Sequence, residues 1–219
     1  MTKHTDPTPK RAEDRLARCL RDLCPRAILF DLDGTLVDST DANFRALDQA
    51  WAAQGERLDR AWYAHKTGLS VEALAMAWGA EHDRRIDGAA AIGSFIAASV
   101  QDAAEARLFP DAAAALRDCA RRMPVGVVTN NFRPIVEALV EAHFASLHLG
   151  ALVTADTEGL RPKPAPDLYA RAVRVLALPP ADCVAIEDSD EGLAAARAAG
   201  LRAVDIRALR ERPGTDQIE

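Results

Sequence analysis

Five short apolar runs punctuate the chain: "AILFD" at 27–31, "PVGVVT" at 124–129, "ALVT" at 151–154, "CVAIE" at 183–187 and "RAVDI" at 202–206. None alternates apolar with polar positions, so each reads as a strand covered on both faces. Between them lie "DAAAALRDCARR" (111–122), "RPIVEALVEAHF" (133–144), "APDLYARAVRVLAL" (165–178) and "SDEGLAAARAAG" (189–200), all with helical periodicity. Strand and helix in alternation predict an α/β fold, a parallel sheet with helices on both sides. In such sheets ligands meet the edge where the strands' carboxyl ends open.

From Thr40 to Ala106 the pattern changes and no strand is predicted. Phe44, Leu47 and Trp51 mark one helical face, and "SVEALAMAWG" and "GAAAIGSFIAASVQDAAEA" continue in helical period. All three tryptophans (Trp51, Trp62, Trp78) fall here, where they serve as core fillers of a small helical bundle. At the N-terminus, residues 1–10 read as a loose polar tail. In "RAEDRLARCLRDL", Leu16, Cys19, Leu20 and Leu23 share one face of a short amphipathic helix. The expected division is therefore a tail and helix over 1–24, an α/β core over 25–39 and 107–219, and a helical insert over 40–106.

Composition narrows the classes. The 219 residues carry a net charge of −6, and the basic residues are scattered, so there is no electrostatic footprint for nucleic acid. No apolar run approaches the roughly 18–20 residues that cross a bilayer, and the first fifteen residues lack a signal peptide's apolar core. Cys19, Cys24, Cys119 and Cys183 have neither disulfide-scaffold nor metal-ligand spacing and read as buried reduced thiols. A cytoplasmic protein is expected, with no membrane or nucleic-acid partner.

The strand ends carry the chemistry. The first apolar run stops at Asp31, and Asp33 follows two residues later, ahead of Gly34 and Thr35. Residues i and i+2 of a strand point the same way, so both carboxylates can overlook one site. Held close, two carboxylates need a cation between them or a proton on one. An Asp-Gly turn would also end the strand, without any chemistry. The other ends bear on the choice. "VGVVTNN" ends on Thr129 and Asn130, a hydroxyl and an amide suited to phosphate oxygens. "RPKPAPDLY" sets Lys163 between two prolines that stiffen its loop. "CVAIEDSDEG" ends on Glu187 and Asp188, hard oxygen donors fit for Mg²⁺, with Ser189 placed to cap the next helix. Four independent turns do not readily produce this set.

Together "DLDGT", "VVTNN", "RPKPAPDLY" and "IEDSDEG" resemble, in order and spacing, the four motifs of the haloacid dehalogenase superfamily in its phosphatase and phosphomutase branch. The resemblance spans residues 27 to about 205 and is most specific in the first and fourth motifs. It implies a Rossmann-like parallel-sheet core with an inserted all-helical cap over 40–106. It implies that Asp31 attacks phosphorus to form an aspartyl-phosphate and that Asp33 protonates the leaving alcohol and then activates water. Mg²⁺ would be held by the side chains of Asp31 and Asp188 and the backbone carbonyl of Asp33, with Glu187 near by. Thr129 and Asn130 would hold phosphoryl oxygens, and Lys163 would steady nucleophile and phosphoryl group.

Asp33 argues against the family's dehalogenases and phosphonatases. Asn43 stands where sugar phosphomutases carry a histidine, so hydrolysis of a small phosphorylated metabolite, phosphoglycolate or a sugar phosphate, is expected. The "EDS" form with Glu187 keeps a sugar phosphomutase as the alternative, beside a non-catalytic phosphometabolite-binding relative. A receiver domain, with its similar strand-end acids, is near half this length and has no helical insert. In the cap, Arg57, His65 and Lys66 are candidates for a substrate's anionic end, and Gly68 and Ser70 for a loop over the site. Asp111 departs from the family habit of glycine after Pro110.

Overall fold

The computed structural model describes residues 12–66 and 69–210. The N-terminal tail and Gly68 lie outside the described residues. All five predicted strands form: β1 (Ala27–Phe30), β2 (Val125–Val128), β3 (Ala151–Val153), β4 (Cys183–Glu187) and β5 (Arg202–Asp205). They pair in parallel throughout, in the order β3-β2-β1-β4-β5. β1, β2 and β4 are buried along their whole length, which is why their sequences do not alternate. The expected cover on both faces does not extend to β5, an edge strand half-buried at all four positions, and β3 is half-buried at Leu152.

The chain runs from β1 outward to β3, then returns to the other side of β1 for β4 and β5. This reversal makes β1 and β4 the switch point, where the crossovers diverge and a crevice opens beyond the carboxyl ends. The backbone of Asp31 continues the ladder there, its N–H donating to the Ile186 carbonyl at 3.0 Å.

The sheet shares one compact unit with α1 (Ala12–Leu23), α6 (Pro110–Ala120), α8 (Asp167–Leu176), α9 (Asp190–Ala198) and α10 (Ile206–Arg210). Ala27 and Leu29 of β1 join a core beneath α8 and α9 that includes Leu168, Ala172, Ala195 and Ala196. Ile28 and Phe30, alternate in the strand, face the other side. The amphipathic α1 packs against α6 and α10 through buried Leu16 and Leu20, each worth about 1.5–3 kcal/mol of apolar burial. The cysteine reading needs one correction. Cys119 and Cys183 are buried, but Cys19 is only half-buried and Cys24 is exposed where α1 ends, its thiol donating to the Arg21 carbonyl.

The second unit comprises residues 38–107 and 131–145. It contains α2 (Thr40–Ala52), α3 (Arg60–Ala64), α4 (Val71–His82), α5 (Gly88–Gln101) and α7 (Arg133–Phe144), with no strand among its described residues. Asp59, Ser70 and Asp87 cap α3, α4 and α5 with side-chain oxygens. Trp51 and Trp78 are buried edge to face, and half-buried Trp62 stands edge-on to Trp78. The expected insert was 40–106; the structure adds α7, which lies between β2 and β3 in sequence. Its apolar face of Ile135, Val136 and Leu139 is buried, the Phe132 ring meets Phe95, and His143 Nε2 lies 2.9 Å from the Ala103 carbonyl oxygen. Among the described residues, no helix is long and apolar enough to cross a membrane.

Candidate active site

Where β1 stops, Asp31 is buried, and the chain turns sharply through Asp33 and Gly34. Gly34 takes φ +79°, a left-handed conformation that side-chain-bearing residues rarely adopt. A Cβ there would lie 1.9 Å from Asp188 Oδ2, so only glycine lets the β1 and β4 loops approach this closely. The turn is closed by a bond from Gly34 N–H to the Val37 carbonyl (2.8 Å).

Lys163 reaches this edge from the loop before α8. Its ammonium is buried and donates to Asp31 Oδ1 (2.6 Å), Glu187 Oε1 (2.6 Å) and the Val128 carbonyl (2.8 Å). Three donors of one –NH₃⁺ are thereby used, tying the ends of β1, β2 and β4 to a single cation. The loop that delivers Lys163 is itself fastened: Asn130 Oδ1 accepts from the Lys163 N–H (2.8 Å) and Asn130 Nδ2 donates to the Lys163 carbonyl (3.1 Å). The Asn130 amide, expected at phosphate, is thus occupied at both ends with the backbone of the lysine. Thr129 is buried, its N–H bonded to the Val153 carbonyl.

Glu187 is fully buried, and Oε1 accepts a second bond from the Tyr169 hydroxyl at 2.6 Å. A Cβ on Gly192 would lie 2.0 Å from Glu187 Oε2, so α9 can pass over this carboxylate only with glycine there. Ser189 caps α9, its Oγ accepting from Gly192 N–H at 3.1 Å. Asp188 receives the Thr35 hydroxyl at 3.4 Å.

Carboxylate oxygens of Asp31, Glu187 and Asp188 all lie within 4.8 Å of one another. One ammonium faces three acids, and the electrostatics register the shortage. Burial pushes the Asp31 carboxyl well above its ordinary range; Lys163 pulls it back while Glu187 and Asp188 add to the rise. Asp188 is raised to about 6, by burial first and Glu187 second. Burial pulls the Lys163 ammonium down, but Asp31 and Glu187 outweigh that and leave it above the usual lysine value. Burial and the Glu187 charge drive the Tyr169 hydroxyl upward, so it remains a donor. Hard oxygen donors carrying more negative charge than their one cation can balance suit Mg²⁺. Asp33 is half-buried; its carboxylate is outside the three-acid cluster but close enough to raise Asp188 slightly.

Every strand-end residue singled out in the sequence is therefore found at this edge of the sheet. Tyr169 and Gly192 were not singled out. Tyr169 stands six residues after Lys163, and only the fold shows that its hydroxyl meets Glu187. The cap candidates are engaged within their own unit: Lys66 pairs with Glu81 (2.6 Å), Arg57 with Asp48 (2.8 Å), Ser70 caps α4, and His65 is exposed.

Residues 25–200 match the model of the haloacid dehalogenase-like hydrolases. The chain is 35% identical over 195 residues to protein CbbY of Rhodobacter capsulatus, covering 82% of this chain and 84% of that one. It is 31% identical over 191 residues to a phosphoglycolate phosphatase of Yersinia pestis, covering 83% and 80%. A crystal structure of a CbbY variant from Rhodobacter sphaeroides in complex with xylulose-(1,5)bisphosphate superposes with a TM-score of 0.67 at 32% identity, covering 82% and 84%. The acids and lysine gathered at the switch point thus sit in a chain that belongs to the haloacid dehalogenase-like hydrolases, and it is a phosphatase of that family, a phosphoric monoester hydrolase.

Proposed function

We propose that the protein hydrolyses the monoester of a small phosphorylated sugar or hydroxy acid through a phosphoryl group carried on Asp31, with Mg²⁺ as cofactor. The observation that carries this reading is the Asp31 carboxylate, buried at the end of β1, held by Lys163 at 2.6 Å and grouped with Glu187 and Asp188.

The bond from Lys163 uses Asp31 Oδ1 and orients the carboxylate, so that the other oxygen forms the bond to phosphorus as the ester P–O bond breaks. Asp33 gives its proton to the departing alkoxide. As a carboxylate it then takes a proton from water, which attacks phosphorus and releases inorganic phosphate from Asp31. Lys163 balances charge on the carboxylate and on the transferring group, and the Thr129 hydroxyl and the backbone N–H of Asn130, whose side chain is bound to Lys163, meet phosphoryl oxygens beyond β2. Asp31, Asp188 and the Asp33 backbone carbonyl would hold Mg²⁺, with Glu187 near by. Bound there, the ion offsets the repulsion between carboxylate and phosphate dianion. Glu187, with Oε1 shared between Lys163 and Tyr169, mainly fixes the lysine.

The helical insert expected over 40–106 acts as the cap that selects the substrate. A CbbY relative bound to a sugar bisphosphate favours sugar phosphates, and a phosphoglycolate phosphatase relative makes phosphoglycolate the second class to try. The four free cysteines suit a reducing compartment such as the cytoplasm. The test is phosphate release from p-nitrophenyl phosphate, xylulose 1,5-bisphosphate and phosphoglycolate with and without Mg²⁺, using Asp31→Asn as control. Turnover that needs Mg²⁺ and disappears in Asp31→Asn supports the reading. No turnover of any member, or turnover unchanged in Asp31→Asn, contradicts it.

A further inference from the structure

Arg210, the last residue of α10, takes no part in the chemistry above, yet its guanidinium is fastened at five points. Nη1 donates to the Gly34 carbonyl (2.6 Å) and Nη2 to the Thr35 carbonyl (2.7 Å). Nε and Nη2 reach Asp111 Oδ2 and Oδ1 at 2.9 and 3.0 Å. The plane lies 3.9 Å over the Phe109 ring. Asp111 is itself buried, in the first turn of α6, at the position where the sequence departs from the family's glycine.

The two carbonyls follow directly on Asp33 and belong to the turn that carries both Asp31 and Asp33. Neither is used by the loop's own bonds, which run from Gly34 N–H to the Val37 carbonyl and from the Leu36 and Val37 N–H groups to the Leu32 carbonyl. A planar fork can hold two successive carbonyls and a bidentate carboxylate at once, which an ammonium cannot do in fixed geometry. Asp111 locks the fork from behind, and Phe109 fixes its plane.

We propose that Arg210, held by Asp111 and Phe109, is a positioning residue that sets the Asp31–Asp33 turn for reaction without touching substrate. The proposal rests on the function inferred above. Asp111 is then the counter-ion of this brace.

The test compares Arg210→Lys, Arg210→Ala and Asp111→Asn with the unaltered protein in two readouts: kcat and KM on a hydrolysed substrate, and hydrogen exchange of the peptide over residues 27–45. Displacing a reacting group by about 1 Å can cost on the order of 100-fold, so Arg210→Ala is expected to lower kcat by about 10- to 100-fold with KM within about twofold. Arg210→Lys, which keeps the ion pair but not the fork, should remain folded and still lose about tenfold in kcat. Amide exchange in the 31–37 turn should accelerate in both, while β2 and β4 peptides stay protected. A purely structural role would lower the melting temperature and leave kcat of the folded Arg210→Lys protein unchanged; that result, or unaltered exchange in the turn, overturns the proposal. Should Arg210→Ala not fold, Arg210→Lys and Asp111→Asn carry the comparison. If the unaltered protein is inactive on every substrate, the functional reading fails, and the exchange measurement still decides whether Arg210 holds the turn.

Discussion

At the scale of single residues, the site is organised around one buried ammonium. Lys163 lies between Asp31 and Glu187, both at 2.6 Å, and removing it would leave two carboxylates buried without a cation. Breaking a buried pair in this way costs about 3–5 kcal/mol, and Lys163→Met is expected to lower stability by that order and to abolish turnover. Chemical denaturation and a steady-state assay check the two parts separately. Tyr169→Phe is a milder probe. It deletes one of two donors to Glu187 Oε1, so about 1–2 kcal/mol of stability is expected to go, with activity reduced but measurable. The sequence places Asp31, Thr129 and Glu187 at this edge because each ends an apolar run, Asp33 and Asp188 because they follow within two residues of such an end, and Lys163 because its loop is stiffened by prolines. Tyr169 and Arg210 could not be placed in this way. Their partners lie 18, 99, 175 and 176 positions away, and nothing local in a helical tyrosine or arginine records such a contact.

At the scale of elements, the parallel sheet puts its chemistry at the carboxyl ends of β1 and β4, and two glycines allow those ends to close up. Gly192→Ala would drive a methyl group into the Glu187 carboxylate. Overpacking of this kind costs about 1–3 kcal/mol, and here α9 must move away from β4 to relieve it. The expected outcome is a lowered melting temperature together with weakened Mg²⁺ binding, measured by calorimetric titration; stability and binding both unchanged would contradict the packing described. β1, β2 and β4 were legible because burial on both faces writes continuous apolar runs, whereas β5, half-buried along its length, was legible from its short run and its place in the strand–helix alternation. The four predicted helices between the strands appear to within two residues at each end. The grouping of α7 with the helical unit was not legible, since an amphipathic face such as Ile135, Val136 and Leu139 does not say against which neighbour it will be buried.

At the scale of the whole molecule, the cluster couples stability to pH and to metal. Asp188 has a folded-state pKa of about 6, raised from 3.8, and Asp31 is shifted in the same direction. Between the unfolded and folded values the folded protein holds protons that the unfolded chain has lost. These groups therefore contribute less stability as pH rises through the window from about 4 to 6 and beyond. A divalent cation favours the deprotonated cluster and opposes that loss. The rise in melting temperature on adding Mg²⁺ is expected to be large at about pH 7.5 and to shrink towards about pH 5, where protons compete for the same oxygens. A shift of equal size at both values would argue that the ion binds elsewhere.

The central claim is that the carboxylate of Asp31 itself carries the phosphoryl group. It is tested most directly by quenching the enzyme in acid during turnover, reducing the acyl phosphate with borohydride and mapping the product by mass spectrometry of the peptide over residues 27–45. The account predicts homoserine at position 31 and aspartate retained at position 33. Homoserine at another acid, or ongoing turnover with no reducible acyl phosphate at any residue, would contradict it.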